Sequence, residues 1–67
     1  MYAIRHKRDG RFIYRVNGSD ISLSYDKAIT FIDHSSALVF MAINHIHKNI
    51  YEPIKIMIST LDEDLKF

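Results

Sequence analysis

Apart from a short tail, one stretch of the chain, "ALVFMAINHIHKN" at residues 37 to 49, carries helical spacing; most of the remainder alternates. A lone helix has no second helix to cover its apolar stripe, so it must lie on a sheet built by the alternating segments. The preceding "DHSS" supplies residues that start helices. On a helical wheel Val39, Ala42, Ile43, Ile46 and Ile50 cluster on one side and are expected to face the sheet. Leu38 and Phe40 flank that stripe. Ala37, Met41, Asn44, His45 and Lys48 fall on the opposite arc. The helix should stop near Asn49, because Asn suits a C-terminal cap and Pro53 follows soon after.

The strands are read from period-two alternation. Residues 2–7 and 11–16 flank "RDG", an Asp-Gly turn signal. Tyr2, Ile4 and His6, then Phe12, Tyr14 and Val16, are expected on one face. Arg5, Lys7, Arg11 and Arg15 gather on the other, around Ala3 and Ile13, with Arg8 at the turn. "NGSD" at 17–20 makes the next turn. "ISLSY" places Ile21, Leu23 and Tyr25 inward, and "AITFI" at 28–32 continues as strand, with a split in this region allowed for. "IKIMIS" at 54–59 closes the sheet with Ile54, Ile56 and Ile58 on one face. The tail has capping-box spacing from Thr60 to Glu63, with Leu61 and Leu65 four apart; residues 60–67 are expected to be a short helical turn or a flexible acidic tail.

The expected fold is therefore α+β in the order β-β-β-α-β: a three- to four-stranded, mostly antiparallel sheet with one helix on one face. Its core should comprise Ile4, Phe12, Tyr14, Val16, Leu23, Phe31, Val39, Ile43, Ile46, Ile54, Ile56 and Ile58. With 67 residues the chain makes one domain, spanning 1–67, of a size that buries only about 60% of its unfolded surface. Cysteine is absent, so disulfides and thiolate zinc sites are excluded. Partner subunits are another way for a small domain to gain stability, which makes a homodimer an expectation. The apolar run "ALVFMAI" at 37–43 is far below the roughly 20 residues that span a bilayer. "MYAIRHKR" has no apolar signal-peptide core. A cytoplasmic protein without membrane attachment is expected.

Charge is unevenly spread. Residues 1–16 hold Arg5, Lys7, Arg8, Arg11 and Arg15 against Asp9, a net of +4. Residues 17–51 hold Asp20, Asp26 and Asp33 against Lys27 and Lys48, a net of −1, and residues 52–67 hold Glu52, Asp62, Glu63 and Asp64 against Lys55 and Lys66, a net of −2. Such polarity steers partners or favours contacts between copies.

Catalytic and metal chemistry find little support. His45 and His47 stand about 200° apart on a helix and cannot grip one metal together; His34 and His6 add no ligand spacing. Asp33, His34, Ser35 and Ser36 name the letters of a triad, but neighbours in sequence make a helix cap rather than convergent catalytic geometry. Gly10 and Gly18 both belong to turns, which leaves no phosphate-cradling loop. No enzyme activity, metal or cofactor is expected.

The basic hairpin remains. Arg5, Lys7, Arg8, Arg11 and Arg15 can meet phosphates, but stacking on bases needs aromatics on the same face, and alternation puts Tyr2, Phe12 and Tyr14 on the other. Long cationic stems also keep an open sheet face hydrated. A protein partner with an acidic surface is preferred, nucleic acid is the alternative, and Met41 on the outer helix arc joins the candidate contacts, since outward Met adapts to partners. The opening "YAIRHK" with its hairpin, followed by Ala28, Phe31, Asp33 and Ala37 leading into a helix and a last strand, resembles small uncharacterised proteins encoded by phages and prophages. That resemblance implies a phage source more than an activity; taken with the short length, the missing catalytic chemistry and the charge polarity, it leads to the expectation of a small interaction protein that modulates a host protein in the host cytoplasm.

Overall fold

β1 (Tyr2–His6) organises the sheet because both of its edges are paired. Along one edge runs β5 (Tyr51–Lys55), antiparallel over the full length, from Tyr2↔Lys55 to His6↔Tyr51. The other edge is shared. β2 (Phe12–Asn17) pairs at Arg5↔Phe12, and the two-residue β4 (Thr30–Phe31) pairs at Tyr2↔Phe31 and Ala3↔Thr30. β3 (Asp20–Ser24) lies outside β2. One helix, α1 (His34–Ile43), packs on the sheet. The computed structural model describes residues 1–56. Expectations for Met57, Ile58 and the tail at 60–67 lie outside them.

Over the described residues the chain is thus α+β, with a five-stranded antiparallel sheet and one helix. The third strand region is split into β3 and β4, which raises the strand count from the expected three or four to five. The closing strand begins at Tyr51 rather than Ile54 and carries Pro53 at its middle, opposite Ile4. Proline lacks the N–H of a ladder, so it suits β5, which among the described residues pairs along one edge only.

Turn chemistry fixes both hairpins. Between β1 and β2 the loop is Lys7–Gly10, closed by His6 N–H to Arg11 C=O and Gly10 N–H to His6 C=O, each 2.8 Å. Gly10 sits at φ 86, a conformation that costs glycine little. The His6 ring braces this turn: Nδ1 accepts from the backbone N–H groups of Arg8 (3.2 Å) and Asp9 (3.0 Å). Between β2 and β3, Asn17↔Asp20 flank Gly18 and Ser19. Gly18 has φ 63 whereas Ser19 is not left-handed, the signature of a II′ turn.

The core forms where Ile4 and Ile13 meet Ala37, Met41 and Ile46, with Tyr2, Val16, Ile21, Leu23, Ile29, Phe31, Phe40 and Tyr51 packed around them. The register explains much of this list, because partners across a ladder share a face. Tyr2, Ile4 and His6 stand with Phe31 and Tyr51 on the helix side. Ala3 and Arg5 stand on the other with Thr30, Phe12, Glu52 and Ile54. Phe12 and Ile54 are therefore half-buried on the outer face rather than in the core, and Ile56, also half-buried, is absent from the core cluster.

A β-bulge corrects the expected pattern of β2. Pairing passes from Ile13↔Leu23 to Arg15↔Ser22, so Tyr14 is an extra residue. The slip lets Ile13 and Val16 both reach the core and leaves Tyr14 39% exposed. Strict alternation had put Ile13 outward and Tyr14 inward.

The helix is shorter than expected and turned over. It starts where the sequence signals: the Asp33 side chain accepts from Ser36 N–H at 2.8 Å, a bond that lowers the Asp33 pKa below the ordinary 3.8. That bond therefore stabilises the fold above the unfolded pKa, and the effect is lost as pH falls through the folded one. At the other end Asn44 caps, His45 takes φ 57, and Ile46 N–H bonds Met41 C=O (2.8 Å) while His45 N–H bonds Ala42 C=O (3.3 Å). This is a Schellman motif, including its customary apolar contact, here between Ile46 and Met41. His45 occupies the position that favours glycine. His45→Gly should stabilise the fold by about 0.5–1 kcal/mol, read as a raised midpoint in urea; a lowered midpoint would contradict the left-handed assignment.

Ending the helix at Ile43 removes Ile46 and Ile50 from the expected stripe. What remains is a choice between residues 37, 40, 41 and 44 and residues 35, 38, 39, 42 and 43. The first set holds the bulkier Phe40 and Met41, and it is the buried one: Ala37 is 0% and Met41 2% exposed. Val39 and Ile43, expected in the core, are 55% and 69% exposed.

Candidate functional site

The basic residues of the first hairpin do not form one free cationic face. Arg5 lies opposite Glu52 on β5 and donates to it at 2.9 Å. Arg11 donates to Asp9 across the turn, with its closest approach 2.6 Å, and its guanidinium lies 6.0 Å from the centre of the Tyr25 ring. That hydrogen bond lowers the Asp9 pKa and raises that of Arg11, so both groups are held charged. Lys7 and Arg8 are exposed in the turn, and Arg15 is exposed beside the bulge. These three make no ion pair among the described residues. The hairpin's effective charge is therefore lower than its composition suggests, and its free cations are divided between the turn and the second strand.

Met41 is not a surface residue. Its side chain fills the core under α1, so it is corrected from candidate contact to packing residue. Its place on the outside is taken by Leu38, Val39, Ala42 and Ile43. They follow the i, i+3, i+4, i+7, i+8 pattern from Ser35 that usually marks a buried face. Ile32, immediately before the helix, is 80% exposed. The sequence "HSSALVFMAI" contains no Asp, Glu, Lys or Arg. A helix apolar on both sides is expected to be covered on both sides, yet only one side of α1 meets the sheet. The sequence signal for the second face is this absence of charge from the whole helix.

The ends of the exposed face differ in charge. Asp33 caps the start, with its carboxylate held ionised by Ser36. A shallow groove at the far end runs between α1 and the following turn, bordered by Leu38, Ala42, His45, His47 and Lys48. A second recess, next to the hairpin turn, is lined by His6, Lys7, Arg8, Asn49 and Ile50.

Among the described residues no group of three His, Asp or Glu side chains is arranged to hold a metal ion. No helix among them is long and apolar enough to cross a membrane. Comparison with protein-family models found no match, and comparisons with curated proteins and with solved structures found none either.

Proposed function

We propose that this chain is a small non-catalytic interaction protein that docks to another protein through the exposed apolar face of α1. The observation that carries the reading is the second helical stripe, Ser35, Leu38, Val39, Ala42 and Ile43, left in water by a helix without charged residues. Contiguous exposed apolar surface marks docking sites more often than chance. In the phage setting that the sequence pattern suggests, a host protein with an acidic surface would be met by Lys7, Arg8 and Arg15, apart from the helix face. Binding of nucleic acid through those same three cations is the alternative, since they have no carboxylate partner among the described residues.

A photo-crosslinking side chain placed at Ile43, and separately at Arg15, tests the reading in intact cells. Covalent protein adducts should form from position 43. Adducts from position 15 alone, or adducts to nucleic acid in place of protein, would reject the helix face as the docking site.

A further inference from the structure

We propose that the occupant of the exposed α1 face is a second copy of this chain, held by an antiparallel helix pair about a two-fold axis near Val39. The proposal rests on the docking role given to that face and names its partner. Three features point to self-association.

The first is the lack of charge. In a two-fold contact each patch meets its own copy, so any charged group near the axis would face a like charge. Leu38, Val39, Ala42 and Ile43 contain none.

The second is the order of sizes. With the axis near residue 39, close to the middle of His34–Ile43, Ser35 of one copy faces Ile43 of the other, and Val39 faces Val39. Small opposite large is the arrangement that lets facing helices interdigitate.

The third is polarity. An antiparallel pair brings Asp33 at the start of one helix toward His45, His47 and Lys48 at the end of the other. Carboxylate would meet ammonium at both ends, and opposed helix dipoles add to the match.

A patch of four apolar side chains is small, of the kind found on ordinary monomers. An interface built from two such patches belongs with the weak, transient contacts that bury less than roughly 1,200 Å². A dissociation constant in the micromolar range is expected.

Sedimentation of the full chain from low micromolar to submillimolar concentration should show monomer passing to dimer. Ile43→Asp should weaken the dimer about tenfold or more with the far-UV spectrum unchanged. Lys48→Glu should weaken it less, and adding Asp33→Asn should recover part of the loss, since Asn still caps the helix. The chain has no cysteine, so Val39→Cys supplies an independent measurement. Two thiols beside the axis should oxidise to a disulfide-linked dimer, whereas Tyr14→Cys should remain largely monomeric. Monomer mass throughout, or dimers as readily linked from position 14 as from 39, would overturn the proposal. If position 43 crosslinks to a different protein while sedimentation gives only monomer, self-association fails and the docking face stands. If position 43 forms no protein adduct while dimers persist in Ile43→Asp, both fail.

Discussion

Met41→Asp should abolish cooperative unfolding. Met41 is 2% exposed and lies in a cluster with Ile4, Ile13, Ala37 and Ile46, side chains that offer a carboxylate neither a hydrogen bond nor a countercharge. Burying an uncompensated charge is costly enough that the group would neutralise or the site would open. A domain of this size sits at the low end of a stability range of roughly 5–15 kcal/mol, so it has little margin to absorb the loss. The same substitution also removes the apolar contact that anchors the Schellman end of α1 at Ile46. Far-UV circular dichroism during heating gives the readout. A sigmoidal melt like that of wild type would show that Met41 is not in the core.

Ile13→Ala should destabilise by about 2–5 kcal/mol. Ile13 is 1% exposed, pairs with Leu23 on β3 and meets Ile4 and Met41 in the core cluster. Its backbone C=O also accepts from Ile29 N–H at 3.0 Å, tying the segment before β4 to β2. Truncation leaves a cavity between sheet and helix that the neighbouring strands can collapse only in part. Tyr14→Ala, one residue on, should cost far less, since Tyr14 is 39% exposed at the bulge. Urea titration of the two variants measures the contrast. Equal losses would mean that the bulge is misplaced and that β2 follows plain alternation.

The contrast between Ile13 and Tyr14 shows where sequence reasoning is strong and where it stops. Alternation identified β1, β2 and β3, and it placed Ile4, Val16 and Leu23 correctly, because a half-buried strand must repeat every two residues. It could not anticipate the bulge, since one extra residue leaves no local mark in "FIYRV". The α+β architecture followed from a single helical segment among strands, which admits few arrangements. The start of β5 at Tyr51 was not legible, because "YEP" lacks the period-two apolar pattern carried by Ile54, Ile56 and Ile58.

The helix carries the larger lesson. Its start was legible from Asp33 and the serines. Its end was not, because His45 in a left-handed conformation has none of the transparency of a glycine. A helix running to Asn49 lines Ile46 and Ile50 up with Val39 and Ile43, whereas Ile46 reaches the core, as expected, from beyond the helix end and on the side of Met41. The candidate site moved with it. Met41 passed from the surface to the core, while Val39 and Ile43 passed from the core to the surface. The basic hairpin was legible as composition, yet the pairing of Arg5 with Glu52 depends on the β1–β5 register, which spans most of the chain. The Arg11–Asp9 pair is local, set by the geometry of the first turn.

Which side of α1 faces the sheet decides both the fold and the docking surface, and one comparison tests it most directly. Met41→Asp and Ile43→Asp put the same charge on opposite sides of the same helix, and their thermal melts can be recorded side by side at one protein concentration. The structure predicts a cooperative melt for Ile43→Asp, whose side chain is already 69% exposed, and none for Met41→Asp. A cooperative melt for Met41→Asp together with an unfolded Ile43→Asp would show that the helix lies the other way up, and the exposed face with its partner would have to be abandoned.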